Sequence, residues 1–353
     1  MKVLLLLSSL PRLSLSGFCF QSTTLPTATP IRGPTFRIRI FGRHQIYRKH
    51  SSSLSRFEVA MVQRDGNART GCRTSFDVFP YGTKVTDRPT KVVHFLRHAE
   101  GTHNVNKDYR SRTNIDAQLT EKGIRQCQDL AKQIAEASEG PLYDLREKAD
   151  LIVTSPLQRC IQTATLSLQP LLLSQQRERP LPMVAHEMVR ETVNYNCDRR
   201  RNIQALQDEH THVDFTHMTD ERDAIWQNYE DRFGCDETFT KHRESGEIHV
   251  VADRGRAFFQ WLHETYPHHS HVVVCTHSAF LRCIKNFGNN PDKGPLGVPL
   301  LPEQHDELPD RIIPVLQYSL NDGKNGKTDD NKFAQEMKSD YANCELRSMV
   351  IGF

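Results

Sequence analysis

Apolar residues gather into four short runs in the body of the chain, and each run stops abruptly at polar, charge-bearing residues. Val92, Val93, Phe95 and Leu96 form the first run, Leu151–Val153 the second, Val184 and Ala185 the third, and Val272–Cys275 the fourth. Short runs rich in β-branched residues predict buried strands. A further edge strand is predicted over 311–320. Between the runs the spacing changes. Ile124, Cys127, Leu130 and Ile134 recur every three or four positions. That predicts an amphipathic helix from an N-cap at Thr120 to about Ala137, ended by Gly140-Pro141. A second helix is predicted from Ser155 as cap, with Pro156 at its first position. A third is predicted over 253–266, where Ala257, Phe258, Trp261 and Leu262 supply the apolar stripe, and a fourth begins at Ser278. Residues 214–246 are charged and weakly periodic, with Trp226 and Phe233, and predict a helical lid inserted over a site. Gly and Pro make 288–309 a loop, and 322–330 reads as a polar turn.

At 353 residues the chain has room for one large domain or two modest ones. No stretch of about 20 apolar residues exists to form a transmembrane helix. The nine cysteines are scattered, odd in number and never spaced Cys-x-x-Cys. That argues against a disulfide framework and against a zinc site. The seventeen histidines show no spacing typical of metal ligands.

The net charge of +3 hides an asymmetry. Nine of the 46 basic residues lie in 1–57, which contains no acid, so 37 basic residues face 43 acidic ones in the remainder. A mildly acidic body does not suggest nucleic-acid binding. The first segment reads differently. Met1-Lys2 and the apolar run Val3–Leu7 resemble the start of a signal peptide, and an Arg-, Ser- and Thr-rich stretch without acids follows, like a transit peptide. This pattern predicts an organellar leader over 1–60, a plastid being favoured. The alternatives are a mitochondrial presequence, or a cytoplasmic protein translated from Met61. Residues 61–88 then read as a linker, 89–320 as the catalytic domain with a helical insertion near 198–250, and 321–353 as a C-terminal extension.

Candidate chemistry sits where the runs stop. After the first run come Arg97, His98 and, further on, Asn104. A guanidinium can grip two phosphate oxygens. An imidazole can attack phosphorus and carry the phosphoryl group. An amide can donate to the same oxyanion. Arg159 follows the second run, in the first turn of its predicted helix. A cation there opposes the helix dipole, which suggests a place reserved for an anion. Glu187 and Glu191 follow the third run, and either could protonate a leaving alkoxide. The cluster Arg199–Arg201 could read a second anionic group or form a solvated helix start. His277 follows the fourth run, just before a predicted helix N-terminus.

Taken as a set, Leu96-Arg97-His98-Ala99-Glu100-Gly101, Ser155-Pro156-Leu157-Gln158-Arg159 and Cys275-Thr276-His277-Ser278 resemble the motifs of the histidine phosphatase superfamily, in its phosphoglycerate-mutase-like branch. Arg190-Glu191 followed by Cys197-Asp198-Arg199-Arg200 resembles the plant and algal members. The resemblance covers roughly 90–285. It implies an α/β, doubly wound, mostly parallel sheet with helices on both faces, and a phosphohistidine intermediate. It implies His98 as nucleophile, and Arg97, Arg159, His277 and Asn104 as phosphate ligands. Glu191 is the proton donor it favours, with Glu187 as fallback, and Arg199 and Arg200 are its possible substrate contacts. No metal or cofactor is implied, because cationic and donor groups stabilise the charge. The partner is a small phosphorylated substrate, with no nucleic acid and no stable membrane span. The implied activity is phosphomonoester hydrolysis; a cofactor-dependent mutase and a non-catalytic phospho-ligand binder are the alternatives. Ala99 departs from the family's common Gly, and a carbonyl near Glu100-Gly101 is expected to hold the second nitrogen of His98.

Overall fold

In the computed structural model, which describes residues 74–105, 107–174, 180–234, 244, 248–289, 313–318 and 328–353, the four predicted strands lie in one sheet. The leader expected over 1–60 and the first part of the linker, 61–73, fall outside the described residues, as does most of the loop at 288–309. Every described residue belongs to one compact unit, within Ser55–Phe353.

The strands are β1 (Phe76–Pro80), β2 (Thr90–Arg97), β3 (Leu151–Thr154), β4 (Met183–Ala185), β5 (His271–Thr276), β6 (Leu316–Gln317) and β7 (Leu346–Gly352). Their order across the seven-stranded sheet is β4-β3-β5-β2-β7-β1-β6. All pairings are parallel except the two made by β7, which runs antiparallel between β2 and β1. The predicted edge strand is present as β6. The domain boundaries expected from sequence need correction at both ends. β1 comes from the presumed linker, and β7, from the presumed C-terminal extension, sits in the interior of the sheet. Neither was visible as a long apolar run, because each mixes polar residues into its pattern.

Side chains alternate across a strand with a period of two, and the sheet is buried on both faces. Val93, Phe95, Val153, Val272 and Val274 face one core, with α6 (Ile248–Thr265), α7 (Ser278–Asn286) and α8 (Thr328–Lys338) packed on it. Leu96, Ile152, Val273 and Cys275 face the other. There α1 (Glu121–Glu136), α2 (Gly140–Lys148), α3 (Gln158–Ser167) and α4 (Ile203–Glu209) complete the layer. The doubly wound architecture thus follows from strands that are apolar on both sides. A smaller cluster of Val193, Trp226 and Tyr229 lies under α5 (Ala224–Phe233), in the segment expected to form a helical lid.

Helix starts follow local chemistry, with two departures. Thr120 caps α1 as expected, its hydroxyl accepting from Gly123 N at 2.9 Å. Gly140-Pro141 does not merely end α1: Gly140 takes φ +77° and turns the chain directly into α2. The helix expected from Ser155 begins later, at Gln158. The Ser155 hydroxyl is engaged elsewhere, 2.8 Å from His277 Nε2, and the Gln158 N–H is taken by the Asp116 carboxylate at 2.8 Å.

Candidate active site

Parallel strands end together, and that places the chemistry. Arg97 pairs with Thr276 across β2 and β5, Thr154 with Cys275 across β3 and β5, and Thr154 with Ala185 across β3 and β4. The next residues, His98, His277, Ser155 and His186, therefore leave the sheet at one level. This is the carboxyl-end crevice where open α/β sheets bind ligands. Segments far apart in sequence meet there by register alone.

The His98 and His277 rings lie 5.1 Å apart, centroid to centroid. Both are buried, at 2% and 0% exposure. His98 Nδ1 lies 2.7 Å from the carbonyl of Ala99. A carbonyl only accepts, so Nδ1 carries the proton and Nε2 keeps its lone pair. The holding carbonyl is thus Ala99 itself, one residue before the Glu100-Gly101 turn expected to provide it. Burial, with Arg159, His103 and Arg97 nearby, drives the His98 pKa well below its ordinary value. Burial and Arg159 do the same to His277. Both rings are neutral near pH 7. The substitution of Ala for the family's Gly is also explained. Ala99 is absent from the positive-φ positions, so its backbone needs no glycine, and its N–H donates to Thr163 Oγ1 at 3.0 Å.

The two cations are held differently. Arg159 is fully buried in α3; it donates to the Cys197 carbonyl at 2.6 Å and to Asp198 Oδ1 at 3.1 Å. Arg97 donates to the Tyr341 carbonyl at 2.5 Å and has no carboxylate partner among the described residues. Burial lowers its pKa, while Glu191 and Asp340 act at longer range to raise it. A half-buried guanidinium without a counterion is an anion site in waiting. The stretch around it comes from the C-terminal part of the chain. Arg97 N donates to the Glu345 carbonyl at 3.0 Å, and the His98 carbonyl accepts from Cys344 N and Asn343 Nδ2, both at 3.2 Å.

Glu191 lies at the N-terminus of α7. Its carboxylate accepts from Phe280 N at 3.1 Å, Ala279 N at 3.3 Å and Thr192 N at 3.0 Å. The acceptor at this helix N-terminus is therefore one of the protein's own carboxyl groups. Burial raises its pKa, as does the neighbouring Asp198, against the opposing pull of Arg159. A carboxyl that keeps its proton above the usual carboxylate range, beside two neutral imidazoles, can give a proton to a leaving oxygen. Glu187 does not reach this cup; it is tied to Arg190 and Arg200.

Asn104 accepts from Gly101 N through its side-chain carbonyl at 3.0 Å, which leaves its amide nitrogen as the donor. Arg200 needs correction as a substrate contact. Its guanidinium bonds Glu187 and the carbonyls of Arg201, Glu221, Asp220 and Arg222, so all five of its N–H groups are spent inside the protein. Arg199 lies over the Trp226 ring at 5.7 Å and has no carboxylate partner among the described residues.

Several supporting residues escaped the sequence reading. Thr163 bridges Ala99 N and the Arg159 carbonyl, locking the loop of His98 to α3. Asp198, hidden in a basic cluster, orients Arg159 and also accepts from Asn194 N and Tyr195 N. Arg254, paired with the buried Glu244, donates to the Arg190 carbonyl at 2.7 Å and so fixes the segment carrying Glu191. His103 packs at 5.7 Å from His98. His103 carried a signal, being a second histidine in the loop after the first run, and Asp198 stood in the Cys-Asp-Arg-Arg string without a role assigned to it. Among the described residues no group of three or more His, Cys, Asp or Glu is placed to hold a metal ion. Among them, too, no helix is long and apolar enough to cross a membrane.

Known proteins similar to this chain share its family-level motifs. The family model described as "Histidine phosphatase superfamily (branch 1)" matches residues 93–290. Phosphoglycerate mutase-like protein 1 of Arabidopsis thaliana is 27% identical over 287 residues, covering 74% of this chain and 81% of that one. A second Arabidopsis thaliana phosphoglycerate mutase-like protein is 27% identical over 288 residues, covering 74% and 84%. Among solved structures, the ecdysone phosphate phosphatase from Bombix mori aligns with a TM-score of 0.38 at 13% identity, covering 73% of this chain and 88% of that one.

Proposed function

This chain belongs to the histidine phosphatase superfamily, and from that premise we propose that it is a phosphomonoesterase acting on a small phosphorylated metabolite through a phosphohistidine at His98. Phosphoryl transfer is the family's chemistry; the hydrolytic outcome and the residue roles are our reading. Arg97, Arg159 and His277 grip the non-bridging oxygens, and the Asn104 amide adds a donor. His98 Nε2 attacks phosphorus; the P–N bond forms as the P–O bond to the alcohol breaks. Glu191 gives its proton to the departing oxygen. Water then attacks the phosphohistidine, Glu191 takes a proton back, and inorganic phosphate leaves with His98 restored.

The observation that carries this reading is the pairing of a neutral imidazole, its free lone pair fixed by the Ala99 carbonyl, with a guanidinium at Arg97 that has no carboxylate partner among the described residues. Trapping with labelled phosphate ester tests it. Wild type should yield an acid-labile, base-stable adduct on His98. His98→Ala should lose the adduct and about 10³-fold or more in turnover. Equal turnover by both proteins would end the reading. Its main rival, a mutase, would return the phosphoryl group to substrate rather than to water when given 3-phosphoglycerate with bisphosphoglycerate.

We also place the protein in an organelle, a plastid foremost, on the composition of residues 1–57 alone. Fusing residues 1–60 to a fluorescent reporter tests this, and a reporter spread through the cytoplasm would overturn it.

A further inference from the structure

A row of aromatic rings runs away from the nucleophile. His98 and His103 are 5.7 Å apart, His103 and Tyr109 6.0 Å, and Tyr109 and Tyr195 5.5 Å, the last pair stacked at 26°. The Arg110 guanidinium lies 5.5 Å over the Tyr195 ring, at the far end of the row. The first ring, His103, is buried at 4% exposure, whereas Tyr109 and Tyr195 are half-exposed. The row thus begins inside the cup and ends at the surface.

The loop bearing Tyr109 is fixed by its backbone. The Tyr109 carbonyl accepts from Cys197 N at 3.2 Å, and the Arg110 carbonyl from Asn196 Nδ2 at 2.6 Å. These bonds tie the loop to the turn whose Cys197 carbonyl and Asp198 carboxylate hold Arg159. The Tyr109 hydroxyl makes no hydrogen bond among the described residues. Its ring is therefore not what holds the loop, and its position is set by the same turn that sets a phosphate ligand.

We propose that His103, Tyr109 and Tyr195 form the leaving-group subsite, and that the substrate is a phosphomonoester of an alcohol bearing a planar ring. This rests on the hydrolytic reading above. With phosphorus held at His98, a three-carbon alcohol ends near His103. A phenol- or nucleoside-sized alcohol extends further along the row, towards the Tyr109 ring. Ring-on-ring contact favours such an alcohol over an acyclic one by up to about tenfold.

Binding and turnover separate this subsite from the chemistry. Phenylphosphonate and methylphosphonate carry the same anion on an uncleavable C–P bond. Calorimetry on the full chain should show phenylphosphonate binding about tenfold more tightly to wild type. Tyr109→Phe should keep that preference, and Tyr109→Ala should bring the two ligands within about twofold. Turnover should follow: Tyr109→Ala should lower kcat/KM for 1-naphthyl phosphate about tenfold, mainly through KM, and for glycerol 2-phosphate by no more than about twofold. Equal affinity of wild type for the two phosphonates, or a loss in Tyr109→Ala that is the same for both, would overturn the subsite. If turnover is absent while the phosphonate preference holds, the hydrolytic reading falls and the subsite stands.

Discussion

Two imidazoles that resist protonation and one carboxyl that resists ionisation, gathered in a single cup, give the proposed reaction's pH dependence its direction. His98 resists protonation, so the nucleophile survives below pH 6.5, the ordinary histidine value. Glu191 loses its proton only above the usual carboxylate range. As pH falls, activity should therefore persist well into the acid range; as pH rises, it should fall as Glu191 ionises. A profile of kcat/KM against pH on an alkyl phosphate should show this acid-shifted plateau. Glu191→Gln should remove the alkaline limb and cost about 10²–10⁴-fold on alkyl phosphates. It should cost far less on p-nitrophenyl phosphate, whose leaving group needs no proton. An alkaline optimum in wild type would contradict these roles. At this scale the sequence was informative about reacting groups and silent about their supports. Arg97, His98, Arg159 and His277 stand beside strand ends, where spacing exposes them. Asp198, Thr163 and Tyr341 act through contacts made only after folding, and Arg200 was indistinguishable in sequence from a substrate ligand.

Helix α1 shows how an element far from the chemistry can govern it. A Cβ at Gly123 would stand 2.2 Å from the Glu100 carbonyl oxygen, a backbone atom of the catalytic loop. Glu100 also anchors the helix start, its backbone carbonyl accepting from Thr120 N at 2.9 Å and its carboxylate from the Thr120 hydroxyl at 3.0 Å. Glycine is needed here for close approach, not for an unusual φ. Gly123→Ala should force helix and loop apart, costing about 1–3 kcal/mol and lowering kcat although no reacting group is touched. Thermal melting and steady-state kinetics check both effects, and an unchanged kcat would separate the helix from the site. The amphipathic stripe of α1 and its Thr120 cap were legible because they are local. The true start of α3 was not, because it depends on Asp116, 42 residues before the Gln158 N–H that it caps.

Across the whole molecule, acid lability is set by buried histidines other than the two of the cup. Burial lowers His94 and His186 to about 3, and burial with Arg159 nearby lowers His103 to about 2. Unfolded, these rings take up a proton near pH 6.5. Between that value and about 3 the unfolded chain holds protons that the native fold refuses, so stability falls as pH falls, by up to about 1.4 kcal/mol per pH unit for each such ring. Urea unfolding at pH 7, 6, 5 and 4 should show the decline, and His94→Gln should lessen its slope. A flat profile would mean that the rings are charged in the native state. His94 lies opposite Ser348, its Nδ1 2.7 Å from the hydroxyl, so the same titration bears on the seam between β2 and β7. The doubly wound layers were legible from four apolar runs, but the place of β7 was not, since register across a sheet is a long-range property. That place bears on biosynthesis. Until β7 has left the ribosome, β1 and β2 each present an open hydrogen-bonding edge, and Arg97 lacks the Tyr341 and Glu345 carbonyls that seat it. The nascent polypeptide therefore has a vulnerable interval in which two unfinished half-sheets wait for β7, and the seat of Arg97 is complete only once that strand has been translated.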